Sequence, residues 1–468
     1  MRRTKIVCTV GPSSSNATTV RRLVPLVDVF RVNFSHGDKT SHLRDITTVR
    51  AESLRAKRTT AILQDLPGPK IRIGKMQDGS ADIARGSQFL LTSSVVLGDS
   101  RRASINYPDL LESVEKGDLL HLADGLIRLR VDGKVSGGVQ CTVLAGGTLS
   151  SGKGVNAPGV KMKITYPTTA DLGHLKFGLA RGVDFVAASF VRTASDLKSL
   201  RRHMPRESPM LIAKVEKREA VQNFKQILAE ADGVMVARGD LGIEVPMETV
   251  PSIQKQIIAK CNAVGKPVIV ATQMLVSMVN FPVPSRAEVT DVSTAVLDGT
   301  DAVMLSDETA VGKYPVEAAR MLDKIARSTE RNASSMPSST AVPEKGDTAE
   351  AIGRAAGRLA DYVGAKAIVA PTQTGSTARR VAMYRPRQPI IALCTQARIA
   401  RQMKLYRGVI PLVVKQARST DWLFARADQA AQKLRFAKKG ERIVVTSGTP
   451  GVKGTTNVIK VSVVGSRA

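Results

Sequence analysis

Eight short runs rich in β-branched residues recur along the chain, separated by longer amphipathic stretches. This alternation is typical of βα units on a parallel sheet, and eight such units predict a closed (β/α)8 TIM barrel. The predicted strands are Lys5–Val10, Val29–Asn33, Thr59–Gln64, Val183–Ser189, Met210–Val215, Gly233–Ala237, Pro267–Ala271 and Asp301–Leu305. The clearest helix is predicted over Ile253–Val264, where apolar residues recur on one face before Gly265 and Pro267.

Two segments break this rhythm. From about Ile71 to Val160, turn pairs such as Asp78-Gly79 separate short strand-like pieces, which indicates an inserted all-β domain. A Ser/Pro-rich linker over 333–343 precedes further strands predicted at Ala365–Ala370, Ile390–Leu393, Val409–Val414 and Arg442–Thr446. We therefore expect a barrel at 1–70 and 161–335, an inserted β-barrel at 71–160, and a separate α/β domain at 346–468.

The composition is that of a globular protein, with 43% hydrophobic and 24% charged residues among 468. No run of 18 apolar residues occurs, so we expect no membrane span, and the first residues do not resemble a signal peptide. The four cysteines, Cys8, Cys141, Cys261 and Cys394, are too widely spaced to indicate a disulfide framework or a zinc site. These features favour the reducing cytoplasm.

The net charge of +28 is typical of a protein that meets polyanions. From Ala351 to Ala468, 22 Lys and Arg residues stand against four Asp and Glu residues. Aromatic residues make up only 4%, however, and no zinc-finger or RNA-recognition motif is present. We therefore do not expect nucleic acid to be the main partner, although a nucleic-acid role of the basic C-terminal domain stays open.

Charged residues and one threonine follow several of the predicted barrel strands, where the reactive residues of this fold lie. The set comprises Arg31, Asp65, Arg72, Lys214, Glu216, Asp240 and Thr272. Two carboxylates on neighbouring strands, Glu216 and Asp240, suit a magnesium ion that keeps several waters. Cations around them suit a phosphoryl group, so the pattern predicts phosphoryl transfer.

A nucleotide-binding P-loop is not predicted, although Gly147–Lys153 fits the start of its GxxxxGK motif. The motif requires Ser or Thr next, followed by a helix, but Gly154 follows and the chain then reads as extended. We interpret Lys153 instead as a cation on a lid that closes over nucleotide phosphates.

Several of these segments, and the order of the domains, closely resemble the pyruvate kinase family. The matching motifs are Cys8–Pro12 (CTVGP), Arg31–Gly37 (RVNFSHG), Ala213–Glu216 (AKVE), Ala237–Glu244 (ARGDLGIE), Ala271–Leu275 (ATQML) and Ala295–Gly299 (AVLDG). The resemblance implies a cytoplasmic glycolytic enzyme that transfers phosphate from phosphoenolpyruvate to ADP, giving pyruvate and ATP. It also implies a homotetramer.

By this resemblance, Glu216 and Asp240 hold Mg²⁺, with Mn²⁺ as an alternative. Arg31 binds the substrate phosphate, and Lys214 neutralises the phosphoryl group during transfer. The backbone around Gly239 and Asp240 holds the substrate carboxylate together with Thr272, which is implicated in protonation of the enolate. The resemblance assigns ADP or ATP contacts to Arg72, His36 and Lys153.

The chain departs from potassium-dependent members of the family at two positions. The potassium ligands of those members match Asn33, Ser35, Asp65 and Leu66, and leucine offers no oxygen ligand. Lys70 stands where those members commonly carry Glu, and its ammonium would repel a monovalent cation. We therefore expect that potassium is not required.

The C-terminal domain carries a loop that resembles the effector-phosphate loop of allosteric members, with hydroxyls and amides that suit an anion. Its residues are Thr372, Thr374, Gly375, Ser376 and Thr377. Gln373 and Ser376 replace the Lys and Arg of many fructose-bisphosphate-activated enzymes, so the effector stays open, and a capped helix start is the alternative.

Another phosphoenolpyruvate or pyruvate enzyme, an aldolase or lyase with a two-carboxylate metal site, is the rival function. It would need no nucleotide lid, so the insertion with Lys153 favours the kinase.

Overall fold

A computed structural model of the chain describes residues 1–162, 164–205, 209–333, 347–417, 419–448 and 456–466. Most of the linker predicted at 333–343 lies outside these ranges. The first three barrel strands are β1 (Lys5–Val10), β2 (Val29–Asn33) and β3 (Ala61–Asp65). They are parallel and adjacent in the sheet, with Val7 paired to Val29 and Val29 paired to Ala61.

The insertion follows β3 and consists mainly of antiparallel strands. They are β4 (Ser80–Ile83), β5 (Gln88–Thr92), β6 (Arg102–Ser104), β7 (Leu119–Leu122), β8 (Ile127–Val135), β9 (Gly138–Ala145), β10 (Gly147–Ser150) and β11 (Val155–Asn156). They form a six-stranded sheet, β11-β7-β8-β9-β5-β6, and a two-stranded sheet, β10-β4. This arrangement differs from the β-barrel that we expected, because only isolated bridges such as Ile73–Ile105 join the remaining segments. A short helix at Asp109–Ser113 also interrupts the all-β pattern.

The barrel resumes after the insertion and closes. Its remaining strands are β12 (Phe185–Ala188), β13 (Met210–Val215), β14 (Gly233–Ala237), β15 (Val268–Ala271) and β16 (Ala302–Leu305). The strand order β1-β16-β15-β14-β13-β12-β3-β2 is a closed parallel barrel, which confirms the prediction. Every strand is buried on both faces, as the continuous apolar runs indicated.

Most helices surround the barrel or cover the C-terminal sheet, and one short helix, Asp109–Ser113, lies in the insertion. They are α1 (Ala17–Leu23), α2 (Lys39–Arg55), α3 (Asp109–Ser113), α4 (Thr169–Ala180), α5 (Ala194–Arg201), α6 (Arg218–Gln222), α7 (Phe224–Glu230), α8 (Arg238–Glu244), α9 (Val250–Ala263), α10 (Arg286–Leu297), α11 (Asp307–Ala310), α12 (Pro315–Asn332), α13 (Thr348–Tyr362), α14 (Ser376–Met383), α15 (Ala397–Gln402) and α16 (Thr420–Lys433). Helix α9 confirms the predicted helix but ends one residue before Val264, which is 51% exposed rather than on the buried face.

The C-terminal domain is a five-stranded sheet with order β19-β18-β17-β20-β21. Its strands are β17 (Ile368–Thr372), β18 (Ile390–Cys394), β19 (Val409–Val413), β20 (Arg442–Gly448) and β21 (Thr456–Val463). The sequence predicted the first four. It missed β21, an antiparallel edge strand whose mixed polar and apolar residues lack the clear pattern of the parallel strands.

Four aspartates repeat around the floor of the barrel, where the strands begin, and we call them the floor aspartates. Each precedes an alternate strand and accepts a backbone N–H from the strand beside it: Asp28 from Ile6 at 3.1 Å, Asp184 from Ile62 at 2.9 Å, Asp232 from Leu211 at 2.8 Å and Asp301 from Val268 at 3.1 Å. These carboxylates satisfy backbone donors that lie at the start of the sheet.

The C-terminal domain docks on this floor through ion pairs and apolar contacts. Lys404 lies 2.6 Å from Asp28, Arg401 lies 2.6 Å from Asp184, and Arg385 binds both oxygens of Asp301 at 2.7 and 2.9 Å. Between them, Leu405 is fully buried among the inward-facing residues of the barrel. The C-terminal domain therefore completes the barrel interior.

Candidate active site

The residues singled out from the sequence gather where the barrel strands end. Arg31 lies in β2, Asp65 ends β3, Lys214 lies in β13 with Glu216 just beyond it, and Thr272 follows β15. Asp240 lies in the first turn of α8, directly after β14. Because all eight strands are parallel, their carboxyl ends open on one mouth.

Lys214 lies at the centre of a buried ionic cluster. Its Nζ is 2.8 Å from Glu216 Oε1 and 3.2 Å from Asp65 Oδ1, and it donates a 2.7 Å hydrogen bond to Ser189 Oγ. The Ser189 hydroxyl in turn lies 3.2 Å from Asp65 Oδ1. The ammonium is therefore fixed in position before any substrate arrives.

Arg31 is held against the other oxygen of the same carboxylate. Its Nε donates to Asp65 Oδ2 at 2.6 Å and its Nη1 donates to Thr9 Oγ1 at 3.0 Å. Asp65 therefore orients both Arg31 and Lys214, one through each of its two oxygens.

Burial and neighbouring charge oppose each other in this cluster. Burial alone would lower the pKa of Lys214, but the carboxylates of Asp65 and Glu216 raise it above its ordinary value. Burial would likewise raise the pKa of Asp65, but Lys214 and Arg31 hold it below the ordinary range. Burial raises the pKa of Glu216, against the attraction of Lys214, and the charge of Asp240 adds to the rise.

Asp240 is the more open of the two candidate metal ligands. Its side chain is 24% exposed, against 1% for Glu216, and Lys70 Nζ lies 3.6 Å from its Oδ1. Glu216 Oε2 also accepts the backbone N–H of Phe190 at 2.7 Å. The two carboxylates thus differ in burial but each faces an ammonium group.

Thr272 occupies a strained backbone position beside α8. Its φ is +66°, a region that β-branched residues rarely adopt. Its Oγ1 accepts the Gly239 N–H at 2.8 Å and donates to the Ala271 carbonyl at 2.6 Å. Arg238 supports this conformation by donating to the Thr272 carbonyl at 2.7 Å while binding Asp291 at 2.7 Å.

The carboxylates present fit a magnesium ion better than a structural zinc ion. Among the described residues, no group of three or more His, Cys, Asp or Glu side chains converges on a point that could hold an ion. Magnesium takes one or two protein carboxylates and keeps waters, whereas structural zinc needs four nitrogen or sulfur ligands. Glu216 and Asp240 are of the type and number of protein ligands that magnesium accepts.

Comparisons with known proteins decide the family. The family model "Pyruvate kinase, barrel domain" matches residues 1–319, and "Pyruvate kinase, alpha/beta domain" matches residues 350–462. The chain belongs to the pyruvate kinase family. The pyruvate kinase of Staphylococcus saprophyticus is 43% identical over 99% of this chain and 81% of the relative, and that of Geobacillus stearothermophilus is 43% identical over 99% and 80%.

A solved structure of the same family agrees with the fold. The pyruvate kinase of Cryptosporidium parvum superposes with a TM-score of 0.91 at 34% identity, covering 99% of this chain and 96% of that chain. Pyruvate kinase 2 of Synechocystis is 44% identical over 99% of this chain and 79% of the relative. Among the described residues, no helix is both long enough and apolar enough to cross a membrane.

The three residues that the pyruvate kinase resemblance assigned to nucleotide lie on both sides of the mouth. Arg72 begins the insertion, and its Nη1 donates to the Gly152 carbonyl at 2.9 Å. The His36 side chain is exposed overall. The partial burial of its imidazole is the largest cause that lowers its pKa, and the positive charges of Arg72 and Lys70 lower the pKa further. Lys153 is also exposed, and the extended segment after it confirms that no P-loop forms.

The residues that match the pyruvate kinase potassium ligands show two clear features. Leu66 is buried at 2% exposure, and Asn33 Oδ1 accepts the Ser35 backbone N–H at 3.2 Å. Lys70 points toward Asp240 rather than only toward solvent, and its Nζ lies 5.8 Å from the centre of the Phe190 ring.

The predicted effector loop joins β17 to α14. Gly375 has φ +89°, and its N–H donates to Thr372 Oγ1 at 2.8 Å. Thr374 Oγ1 donates to Ser376 Oγ at 3.2 Å, and the Thr377 hydroxyl pairs with that of Thr456 at 2.8 Å. Several hydroxyl and N–H groups of the loop therefore already make hydrogen bonds within the protein.

Sequence reasoning missed three residues that organise the mouth: Ser189, Arg238 and Thr9. Ser189 ends a predicted strand and carries no other sequence signal. Thr9 and Arg238 belong to motifs that resemble the family, but nothing in those motifs distinguishes their side chains from ordinary structural ones. Their roles depend on contacts with residues from other strands, namely Ser189 with Lys214, Arg238 with Thr272 and Thr9 with Arg31.

Proposed function

We propose that this enzyme transfers the phosphoryl group of phosphoenolpyruvate to ADP, giving pyruvate and ATP. The observation that carries this proposal is the fixed ammonium of Lys214, held between Asp65 and Glu216 beside the guanidinium of Arg31. Two oriented cations next to two carboxylates form a site that stabilises a transferring phosphoryl group.

The proposed roles follow from the position of each group. Arg31 donates to the substrate phosphate, and Lys214 offsets the charge of the phosphoryl group as it moves. The backbone N–H groups at Gly239 and Asp240, at the start of α8, bind the substrate carboxylate together with Thr272, and the Gly239 N–H exchanges its bond to Thr272 Oγ1 for the carboxylate. Arg72, His36 and Lys153 bind the nucleotide phosphates.

Glu216 and Asp240 would hold Mg²⁺, or Mn²⁺ in its place. The ion, when bound, supplies positive charge that offsets the charge on substrate and nucleotide oxygens. In the transfer, the bond from phosphorus to the enol oxygen breaks and a bond to a terminal oxygen of ADP forms. The electron pair stays on the enolate, which then takes a proton at carbon. Water delivers this proton, because Thr272 already donates its hydroxyl proton to Ala271.

We also propose that the reaction does not require potassium. Leu66 offers no ligand oxygen, and Lys70 brings an ammonium group within 3.6 Å of Asp240. A tethered cation can offset negative charge at the mouth as a bound monovalent ion would.

The remaining expectations stay proposals. These are a homotetramer, a cytoplasmic location, a phosphorylated effector at Thr372–Thr377, and domain limits at 1–70 with 161–335, 71–160 and 346–468. A role of the basic C-terminal domain in binding nucleic acid remains the weaker prediction, and family membership favours the kinase over an aldolase or lyase.

The test is a coupled assay of pyruvate formation that depends on ADP, with and without magnesium. We expect Glu216→Gln and Asp240→Asn each to raise the magnesium concentration needed for half-maximal rate at least tenfold, since each loses an anionic ligand. Glu112→Gln, which changes an exposed carboxylate of the insertion, is the control and should match the parent. Absence of ADP-dependent pyruvate formation would refute the proposed function.

A further inference from the structure

The two segments that join the insertion to the barrel contact opposite ends of α8. On the outgoing segment, Lys70 lies 3.6 Å from Asp240 in the first turn of the helix. On the returning segment, Asn156 Nδ2 donates a 2.9 Å hydrogen bond to Oε1 of Glu244, the last residue of the helix. The helix that carries Gly239 and Asp240 is therefore held at both ends by the segments that join the insertion to the barrel.

Glu244 is a buried carboxylate that joins the insertion to the barrel. Its side chain is 1% exposed, and the same Oε1 that accepts from Asn156 lies 2.6 Å from Lys217 Nζ. Lys217 follows Glu216 directly in the chain. One oxygen thus receives a donor from the insertion and a donor from the barrel segment that carries the other candidate metal ligand.

A second contact lies beside the first. His121 is paired with Asn156 across β7 and β11, so it lies on the same edge of the insertion. Gly125 lies close to Ile243, which precedes Glu244 in α8, since a Cβ atom built at Gly125 would be 3.9 Å from two side-chain carbons of Ile243. The sheet edge of the insertion therefore meets the last two residues of α8 at several points.

Movement of the insertion away from the barrel would break these contacts. The Glu244 carboxylate would lose one of the two donors that compensate its burial, and a buried charge without its partners is costly. Closure of the insertion therefore favours one position of α8. That position fixes where Gly239 and Asp240, in the first turn of the helix, lie in the mouth of the barrel.

We propose that Glu244 is a positioning residue that couples closure of the insertion to α8, with Asn156 as its partner on the insertion. The inference rests on the proposed function, because it concerns the helix whose first turn is assigned to substrate and metal. Glu244 touches no reacting atom and acts through Gly239 and Asp240.

The variants Asn156→Ala and Asn156→Asp test the inference and leave the pair of Glu244 and Lys217 in place. The alanine variant removes the donor, so kcat/KM for ADP should fall about tenfold, as expected for loss of a hydrogen bond to a charged group. The aspartate variant keeps the size of the side chain but places a carboxylate against Glu244. Its kcat/KM for ADP should therefore fall further than that of the alanine variant. Thr148→Val, which removes a 2.6 Å hydrogen bond between Thr148 and Asp82 within the insertion, is the control and should match the parent.

Hydrogen–deuterium exchange of the α8 amides gives a readout that does not depend on turnover. Exchange should be faster in both Asn156 variants than in the parent and in Thr148→Val, with and without magnesium and ADP. A greater loss of kcat/KM for ADP in Asn156→Ala than in Asn156→Asp would mean that Asn156 only fills space. That result would overturn the inference. Parental kinetics and parental exchange in both variants would also overturn it.

The two proposals can fail separately. If the parent forms no pyruvate from ADP and phosphoenolpyruvate, the proposed function fails, whereas faster exchange in the variants would still support the coupling of Asn156 to α8.

Discussion

Lys214 and Lys70 are both ammonium groups at the mouth of the barrel, but their surroundings give them different roles. The Lys214 side chain is 10% exposed and has two carboxylate partners, whereas Lys70 is 26% exposed and, among the residues that the structure describes, has Asp240 as its one carboxylate partner within 4.0 Å. The first is a fixed component of the site. The second lies where the insertion begins, so its position depends on that segment.

We predict that Lys214→Met lowers kcat on the order of a hundred- to a thousandfold, because it removes one preorganised charge at the transferring phosphoryl group. The loss should appear in kcat more than in KM, since the charge acts most strongly in the transition state. Steady-state kinetics with varied phosphoenolpyruvate checks this. Turnover near the parental value would exclude Lys214 from the mechanism.

We predict that the parent enzyme is indifferent to potassium and that Lys70→Glu, alone or combined with Leu66→Thr, is not. The variants restore an anionic group and an oxygen ligand, so they should lose activity that added potassium partly recovers. The measurement is pyruvate formation with magnesium in buffers that lack potassium and ammonium. Activation of the parent many-fold by potassium would contradict the prediction.

At this scale, the sequence identified which residues carry charge at the strand ends, because the βα rhythm places them there. It could not identify Ser189 or Arg238, because their functions depend on contacts with Lys214 and Thr272 from other strands. The positive φ of Thr272 was also invisible, since a threonine gives no local signal for that conformation.

At the scale of single elements, the short helical turn at Met403–Leu405 links the C-terminal domain to the barrel. Leu405 has 0% exposure and lies among inward-facing residues such as Val7 and Leu63. The sequence predicted the barrel strands to within two residues because each is an apolar run. It could not show that a residue about 100 positions later fills the interior of the barrel.

We predict that Leu405→Ala destabilises the barrel by roughly 2–5 kcal/mol, because it removes a buried side chain from a packed interior and leaves a cavity. Leu54→Ala, at a position 80% exposed, is the matched control and should change stability by less than about 0.5 kcal/mol. Urea-induced unfolding followed by circular dichroism checks both. Equal effects of the two substitutions would show that Leu405 does not stabilise the barrel.

At the scale of the whole molecule, the C-terminal domain is attached to the barrel largely through buried charges. Lys5 at the start of β1 donates to the Val409 carbonyl in the C-terminal domain at 2.7 Å. Burial lowers the pKa of Lys5 from 10.5 to about 7, although Asp28 opposes the shift. The other charged groups that act on it are Lys404, Arg2 and Glu330.

This lowered pKa makes stability depend on pH in a defined direction. Between pH 7 and 10.5 the unfolded chain binds more protons at Lys5 than the folded chain, so this residue adds stability as the pH rises. Below pH 7 the lysine is charged in both states, and the cost of burying the charge is present in full.

We predict that Lys5→Met is more stable than the parent below about pH 7 and that its advantage falls by on the order of 3 kcal/mol toward pH 10. Lys39→Met, at an exposed position, is the control and should follow the parent at every pH. Free energies of unfolding measured across this range check the prediction. A constant difference between parent and Lys5→Met would contradict the lowered pKa.

The place of Leu405 in the barrel also has a consequence for synthesis on the ribosome. The last barrel strand ends at Leu305, so all eight strands leave the ribosome about 100 residues before Leu405 does. At typical rates of translation this interval lasts roughly 5–20 s. During that time the nascent barrel has an open floor, and the cations of Arg385, Arg401 and Lys404 have not yet reached the floor aspartates. The nascent chain is therefore most exposed to aggregation, and most in need of a chaperone, after the barrel strands exist and before the C-terminal domain docks.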